Sequence, residues 1–299
     1  MDETYQANNV AIAISSFKST QSVATLLDKI FSSDISFSEI IVVDSLSDGS
    51  MEKLLTEKNY KVTFFNSTTN LGSAGNLNKR LEIASQNSQN EWCFCINHDG
   101  YFDTKEILHL ISSIPTIQDK STNIGAIFPN RINYNKNEQP DFKAYDTYSK
   151  TLWASSDGCL YSLQPYRQGC KVNQDLWMGW EDLIYCLELK EKGYQCYTAT
   201  NGLYFDGYEY QKITLLCFTL YIADKPSWYN YYSIRNLVLG LRYLESKDYM
   251  LKFTAKTFIK SVITTALFKN NKKERLIFSI KGLIDGLIGK TGQEAGLNK

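Results

Sequence analysis

Four short apolar runs in the N-terminal third, separated by stretches of helical periodicity, constrain this chain more than any other feature. The runs are VAIAIS (10–15), EIIVVD (39–44), KVTFFN (61–66) and WCFCI (92–96). Between them, helix patterns cover Ser22–Phe31, Met51 to about Lys58, and about Gly75 to Ser85. Strands that alternate with helices in this way predict βαβ units, and so a mainly parallel sheet in an α/β fold. Ligands of such sheets bind outside the carboxyl ends of the strands. The polar residues that close each run are therefore the first candidates for function.

Further along, Ile107–Ile114 reads as a helix and GAIF (125–128) as a strand. Residues 129–155 are polar and aromatic, which predicts long loops or an antiparallel excursion. Order returns in GWEDLIYCLELKEKGY, where Leu183, Cys186, Leu187 and Leu189 form a helix stripe and Gly193 supplies the stop. SWYNYYSIRNLVLGLRYL (227–244) is aromatic and helical, with Pro226 near its start. From Lys252 to Lys290, nine Lys/Arg face two acidic residues, net +7. Phe258, Ile259, Val262, Ile263, Ile277, Ile280, Ile284 and Leu287 recur there at helical spacing. Basic amphipathic helices of this kind lie on anionic membrane surfaces or cap a domain with a solvated basic face, and both roles fit.

Composition narrows the classes. Lys+Arg and Asp+Glu are both 32, so no global field points to nucleic acid. The start of the chain has no basic, apolar leader pattern and no stretch is apolar enough to span a bilayer, so a cytoplasmic protein is expected. Seven cysteines, two of them two apart on one strand, fit reduced buried thiols better than a disulfide framework. Cys93, Cys95 and His98 lack the second ligand pair that a structural zinc site needs.

Three stretches could carry chemistry. Asp44 closes a strand, where it can accept hydrogen bonds from a nucleoside or simply cap the turn with Ser45–Gly49. NLGSAGNLNKR (70–80) combines glycines, which let backbone approach a ligand, with a helix N-terminus that favours phosphate oxygens. GWED (179–182) sets two carboxylates at a helix start, where either the helix dipole or a general-base role would favour them. Trp177 and Trp180 flank Gly179 beside these acids and form a stacking platform for a sugar or base.

The order of VVDSLSDGS, NLGSAGNLNKRLEIA, WCFCINHDGYF and GWEDLIYCLELKEKGY resembles the inverting family 2 glycosyltransferases of the GT-A fold, from Val10 to about Tyr210. YYSIRNLVLGLRYL and SIKGLIDGLIGKTG are similar to segments of the rhamnosyltransferase and galactofuranosyltransferase branch. The resemblance implies a Rossmann-like GT-A domain over residues 1–222 with a basic, amphipathic helical region over 223–299. It implies a dTDP- or UDP-sugar donor, with dTDP-rhamnose foremost, and a glycan or polyprenyl-linked acceptor in surface polysaccharide synthesis. Ser15, Asp44, Asn70, Gly72, Gly75, Asn97 and Asp99 would serve the donor. Asp182 would be the general base, Glu181 would orient acceptor or base, and Trp180, Gly179 and Trp177 would meet the acceptor. Asn97-His98-Asp99 occupies the place of the family's D-x-D, so Asp99 and His98 would contact Mg2+ or Mn2+. Two departures weigh against a metal: Asn97 replaces the first Asp, and NGLYFDGYEY (201–210) has no histidine. Lys79, Arg80 or a helix N-terminus would then offset the diphosphate charge. Peripheral membrane contact, pairing of protomers through the C-terminal helices, and a non-catalytic nucleotide- or glycan-binding subunit are the further expectations.

Overall fold

The computed structural model describes residues 6–100, 103–133, 148–206, 210–215, 218–223 and 225–297. The expected alternation is present as β1 (Gln6–Ser16), α1 (Thr20–Phe31), β2 (Ser36–Ser45), α2 (Ser50–Glu57), β3 (Thr63–Ser67), α3 (Gly72–Gln86) and β4 (Trp92–Asn97). After α4 (Thr104–Gln118) come β5 (Ile124–Asn133), β6 (Tyr148–Thr151), β7 (Cys159–Ser162), a short α5 (Leu163–Arg167), α6 (Glu181–Glu191) and β8 (Gln195–Asp206). These build one eight-stranded sheet in the order β3-β2-β1-β4-β7-β5-β8-β6. Pairing is parallel for β1 with β2 and β4, β2 with β3, and β5 with β8. β7 runs antiparallel between β4 and β5, and β6 antiparallel to β8.

The central strands read as continuous apolar runs because both faces are covered. Val10, Ile12, Ile14, Phe94 and Ile96 meet Val23, Leu27, Met51, Leu110 and Ile114 of α1, α2 and α4. Ala11, Ala13, Cys93 and Cys95 face Leu77 and Leu81 of α3, with α5 and α6 on the same side. The α3 face of the strands is thus lined by small side chains. Every described cysteine is a buried free thiol, with the Cys93 and Cys95 sulfurs 3.7 Å apart.

A hairpin of β9 (Tyr210–Leu215) and β10 (Phe218–Ala223) leads to α7 (Tyr229–Tyr243), α8 (Lys247–Phe268) and α9 (Lys272–Ile288). Leu237 and Leu239 of α7 and Met250 of α8 share a core with Ala74 of α3 and Leu183, Ile184 and Leu187 of α6. The first helices of the C-terminal region are therefore packed onto the helices that carry the site. Among the described residues, no helix is long and apolar enough to cross a membrane.

Candidate active site

Two adjoining cavities lie at the C-terminal edge of the sheet. The smaller, about 250 Å3, is lined by Ser15 and Ser16 of β1, Ser45 of β2, Asn70, Gly72 and Ser73 at the entry to α3, Asn76, Arg80, Asn97–Asp99 and Glu181. Ser15 Oγ donates to Asn97 Oδ1 at 3.0 Å, tying β1 to the end of β4. Asn76 Nδ2 donates to Val43 O at 3.1 Å and Ser45 Oγ at 3.2 Å, while its buried Oδ1 has no partner. Gly72 opens α3 at φ +66, and a Cβ there would stand 2.1 Å from the Trp177 carbonyl oxygen. Only glycine lets α3 start against that backbone. Asn70 Oδ1 accepts the Gly72 amide at 3.0 Å.

The larger cavity, about 860 Å3, shares Ser73, Asn97, Asp99, Ser156, Met178 and Glu181 with the first. It adds Asp157 and Asp182, Arg131 and Lys225, and the rings of Trp153, Trp180, Tyr204 and Tyr229. Asp157 is there because β7 is antiparallel: its N-terminal end arrives at the edge where β4 and β5 end. The Asp157 carboxylate accepts the Asn97 amide at 2.7 Å. Burial pushes its pKa up, against the Arg131 charge, the Tyr204 hydroxyl and the Asn97 amide. Arg131 also lies 4.8 Å over the Tyr204 ring.

Asp182 and Glu181 open α6 on the far wall. Burial and the adjacent Glu181 charge push the Asp182 pKa up to about 7, against the Leu183 and Ser156 amides and Lys225. A carboxylate titrating there is matched to proton abstraction near neutral pH. Glu181 is 7% exposed and its Oε2 has no partner.

The turn that delivers these acids is strained. Trp177, Gly179 and Trp180 have φ of 57°, 87° and 65°. Such non-glycine residues cost roughly 1–3 kcal/mol each and persist where surroundings over-determine them. Here α7 does much of that. Asn236 Nδ2 is shared by the Leu176, Met178 and Gly179 carbonyls at 2.9, 2.8 and 2.8 Å, and Arg235 Nη2 donates to Leu176 O at 2.8 Å. Ala74 N donates to Trp177 O at 3.1 Å from α3, and Trp180 Nε1 to Ser233 Oγ at 2.9 Å.

The structure brings Ser15, Asn70, Gly72, Asn97, His98, Asp99, Gly179, Trp180, Glu181 and Asp182 to these cavities. It places three other expected residues elsewhere. Trp177 lines neither cavity, because its ring packs 4.6 Å from that of Tyr232 and its Nε1 donates to Asn70 O at 3.1 Å. Gly75 is buried inside α3. Asp44 is buried at the end of β2, and its neighbour Ser45 takes the wall position. The reading of the sequence missed Asp157, Ser156, Arg131, Tyr204, Lys225 and Tyr229. The SDG before β7 is the one local signal among them, and it belongs to a strand of only four residues.

A resident Mg2+ or Mn2+ would need several oxygen ligands, carboxylates among them. In Asn97-His98-Asp99 only Asp99 offers a carboxylate. Asn97 Oδ1 already accepts from Ser15 Oγ and, at 3.5 Å, from Arg80 Nη2. A guanidinium that close opposes a divalent cation on the same oxygen. Among the described residues, no group of three or more His, Cys, Asp or Glu is placed to hold a metal. The donor set at Asn97 therefore does not fit such an ion.

A mostly parallel sheet with an antiparallel insertion, and a two-part cavity at its carboxyl edge, are the architecture of the GT-A fold. Glycosyl transferase family 2 matches residues 11–169, just over half the chain, and the protein belongs to that family. The match ends before Trp177–Asp182. None of the curated proteins compared matches the chain. Similar solved structures include S. aureus TarS 1–349, with 14% identity and TM-score 0.58 over 93% of this chain and 80% of that one. The mannosyltransferase PcManGT from Pyrobaculum calidifontis, in complex with GDP-Man and Mn2+, has 13% identity and TM-score 0.52 over 94% and 86%. GalNAc-T7 with UDP, GalNAc and Mn2+ has 10% identity and TM-score 0.54 over 94% and 56%. At these identities the likeness is one of fold.

Proposed function

We propose that the protein transfers a sugar from a nucleoside diphosphate donor to a hydroxyl acceptor with inversion at the anomeric carbon. The observation that carries this is the meeting of two cavities: one walled by hydroxyls, amides, Arg80 and a helix N-terminus, the other by Asp157, Asp182 and aromatic rings, with Asp99 and Glu181 shared where they meet. The smaller holds the nucleoside diphosphate and the larger holds the acceptor. Asp182 takes the proton of the acceptor hydroxyl, and the acceptor oxygen bonds to the anomeric carbon. The bond from that carbon to the diphosphate oxygen breaks, and its electron pair leaves with the nucleoside diphosphate. Base and leaving group then stand on opposite sides, as a single in-line displacement requires. Trp180 and Trp153, whose rings are 5.9 Å apart, give the acceptor an apolar wall.

The donor proposed is dTDP-rhamnose, supported by the likeness of YYSIRNLVLGLRYL to the rhamnosyltransferase branch; a UDP-sugar such as UDP-galactofuranose is the alternative. The acceptor proposed is a lipid-linked glycan of a surface polysaccharide, met at an anionic membrane through α8 and α9. The test is transfer from each donor to a synthetic lipid-linked acceptor, with Asp182→Asn as the control. Turnover is expected to fall roughly a hundred- to ten-thousand-fold in the variant while donor affinity is kept. Full turnover in Asp182→Asn would remove the base assignment, and donor binding without turnover in the wild-type chain would make this a binding subunit.

A further inference from the structure

We infer that Arg80 supplies the fixed positive charge that the donor's diphosphate meets in this chain, in the role that an oxygen-bound divalent cation would otherwise fill. The inference rests on assigning the smaller cavity to a nucleoside diphosphate.

Arg80 lies on α3 and is 2% exposed, one of the largest fully buried side chains in the molecule. Its guanidinium crosses to the carboxyl ends of β1 and β4. Nη1 donates to Ile96 O at 3.1 Å and Ala13 O at 3.4 Å, and Nη2 to Asn97 Oδ1 at 3.5 Å. All three acceptors are neutral. Nε is buried with no partner, and no carboxylate of the described residues pairs with the group. The small side chains Ala11, Ala13, Cys93 and Cys95 beneath α3 leave the space this side chain occupies.

A buried guanidinium without a counterion is strongly unfavourable unless something compensates it. Arg80 lines the smaller cavity, where its neighbours are hydroxyls and amides. The N-terminus of the fifteen-residue helix α3 opens on the same cavity at Gly72 and Ser73, and its dipole adds to the positive potential. The only carboxylates on that wall, Asp99 and Glu181, sit where the two cavities meet. Away from that junction, the inner end of the smaller cavity presents a buried guanidinium and a helix N-terminus with no carboxylate of the described residues beside them, and a diphosphate supplies the anion they lack. Arg80 also disfavours a metal at Asn97, because its charge stands 3.5 Å from the oxygen such an ion would need, and Ser15 Oγ already donates to that oxygen at 3.0 Å. A guanidinium cannot be removed by chelation and stays charged throughout the working pH range.

Calorimetric titration of the full-length protein with dTDP and with UDP, each in Mn2+ and in EDTA, tests this. The wild-type chain is expected to bind its preferred diphosphate equally well, within about threefold, in both conditions. Arg80→Met, which keeps the stem and drops the charge, is expected to weaken that binding roughly 10- to 100-fold, the worth of hydrogen bonds to a charged group. Without ligand, Arg80→Met is expected to melt at or above the wild-type temperature, since it removes an uncompensated buried charge; a mere strap between β1 and β4 would instead be missed on melting. Wild-type binding abolished by EDTA overturns the inference and leaves the transferase reading standing. So does undiminished diphosphate affinity in Arg80→Met. No diphosphate binding by the wild-type chain in either condition would overturn both. If Arg80→Met fails to fold, the wild-type comparison between Mn2+ and EDTA still decides.

Discussion

Asp182 is distinguished by its surroundings more than by being a carboxylate. With its pKa raised to about 7, it is protonated in acid and, in the base role proposed for it, is competent only as pH rises through neutrality. The rate of transfer should therefore climb with pH up to an apparent pKa near 7, and a pH profile of kcat checks it. Stability should run the other way. The folded chain holds this proton more tightly than the unfolded chain, so the buried charge costs stability progressively from about pH 4 to pH 7. Asp182→Asn should accordingly raise the melting temperature at pH 8 and leave it nearly unchanged at pH 4. The acids were readable from sequence because they are consecutive at a helix start. Asp157, Arg131 and Tyr204 were not, since they come from distant parts of the chain and only Asp157, in the SDG before the four-residue β7, sits in any local pattern. Trp177 shows the converse: its neighbours suggested a stacking surface, but its indole N–H needed the Asn70 carbonyl and its ring filled the gap beside Tyr232.

Between residue and molecule stands the turn from Leu176 to Trp180, which joins α3, α6 and α7. The sequence marked α7 as a helix, but its partners lie 57–60 residues earlier, so its task as a clamp is visible only in the fold. Asn236→Ala would leave the Met178 and Gly179 carbonyls without that donor, a loss of about 1–3 kcal/mol for buried groups. The strained turn should then relax, raising the acceptor KM and lowering kcat while the donor Kd changes little; separate donor and acceptor titrations would register the split. Gly72→Ala attacks the same junction from α3. A methyl aimed at the Trp177 carbonyl in a left-handed conformation should either unfold the protein at modest temperature or push the turn outward. In both cases donor and acceptor binding fall together, unlike in Asn236→Ala. β7 explains most of what the strand pattern hid: at four residues and antiparallel, it breaks the alternation from which the rest of the sheet was read.

At the scale of the whole molecule, charge and apolar surface are both segregated. The chain is neutral, yet its basic excess collects on the last two helices, where most of the bulky apolar side chains left in solvent also lie. On α8, Lys252, Lys256 and Lys260 each stand seven residues before Ile259, Ile263 and Leu267, so that lysines and apolar groups share one exposed face. On α9, Ile277, Ile280, Ile284, Leu287 and Ile288 continue the apolar surface. Lysines whose stems lie along apolar surface with their charges outward suit an anionic bilayer. The flank of α8 next to that face reaches the site: Phe253 stands edge-on to Trp180, 5.3 Å between ring centres. A bilayer against this face would lie beside the wall that Trp180 lines, which suits the proposed hydroxyl acceptor on a lipid-linked glycan. The full-length protein should therefore co-sediment with vesicles containing anionic lipid, less at high salt, and poorly with neutral ones. Ile259, Ile263 and Leu267 changed together to Ser should abolish most of that binding while leaving turnover on a water-soluble acceptor intact, because none of the three touches either cavity. Unchanged vesicle binding in the triple variant would remove α8 from the contact. If the wild-type chain ignores vesicles but dimerises, and the triple variant is monomeric, the same face pairs protomers instead.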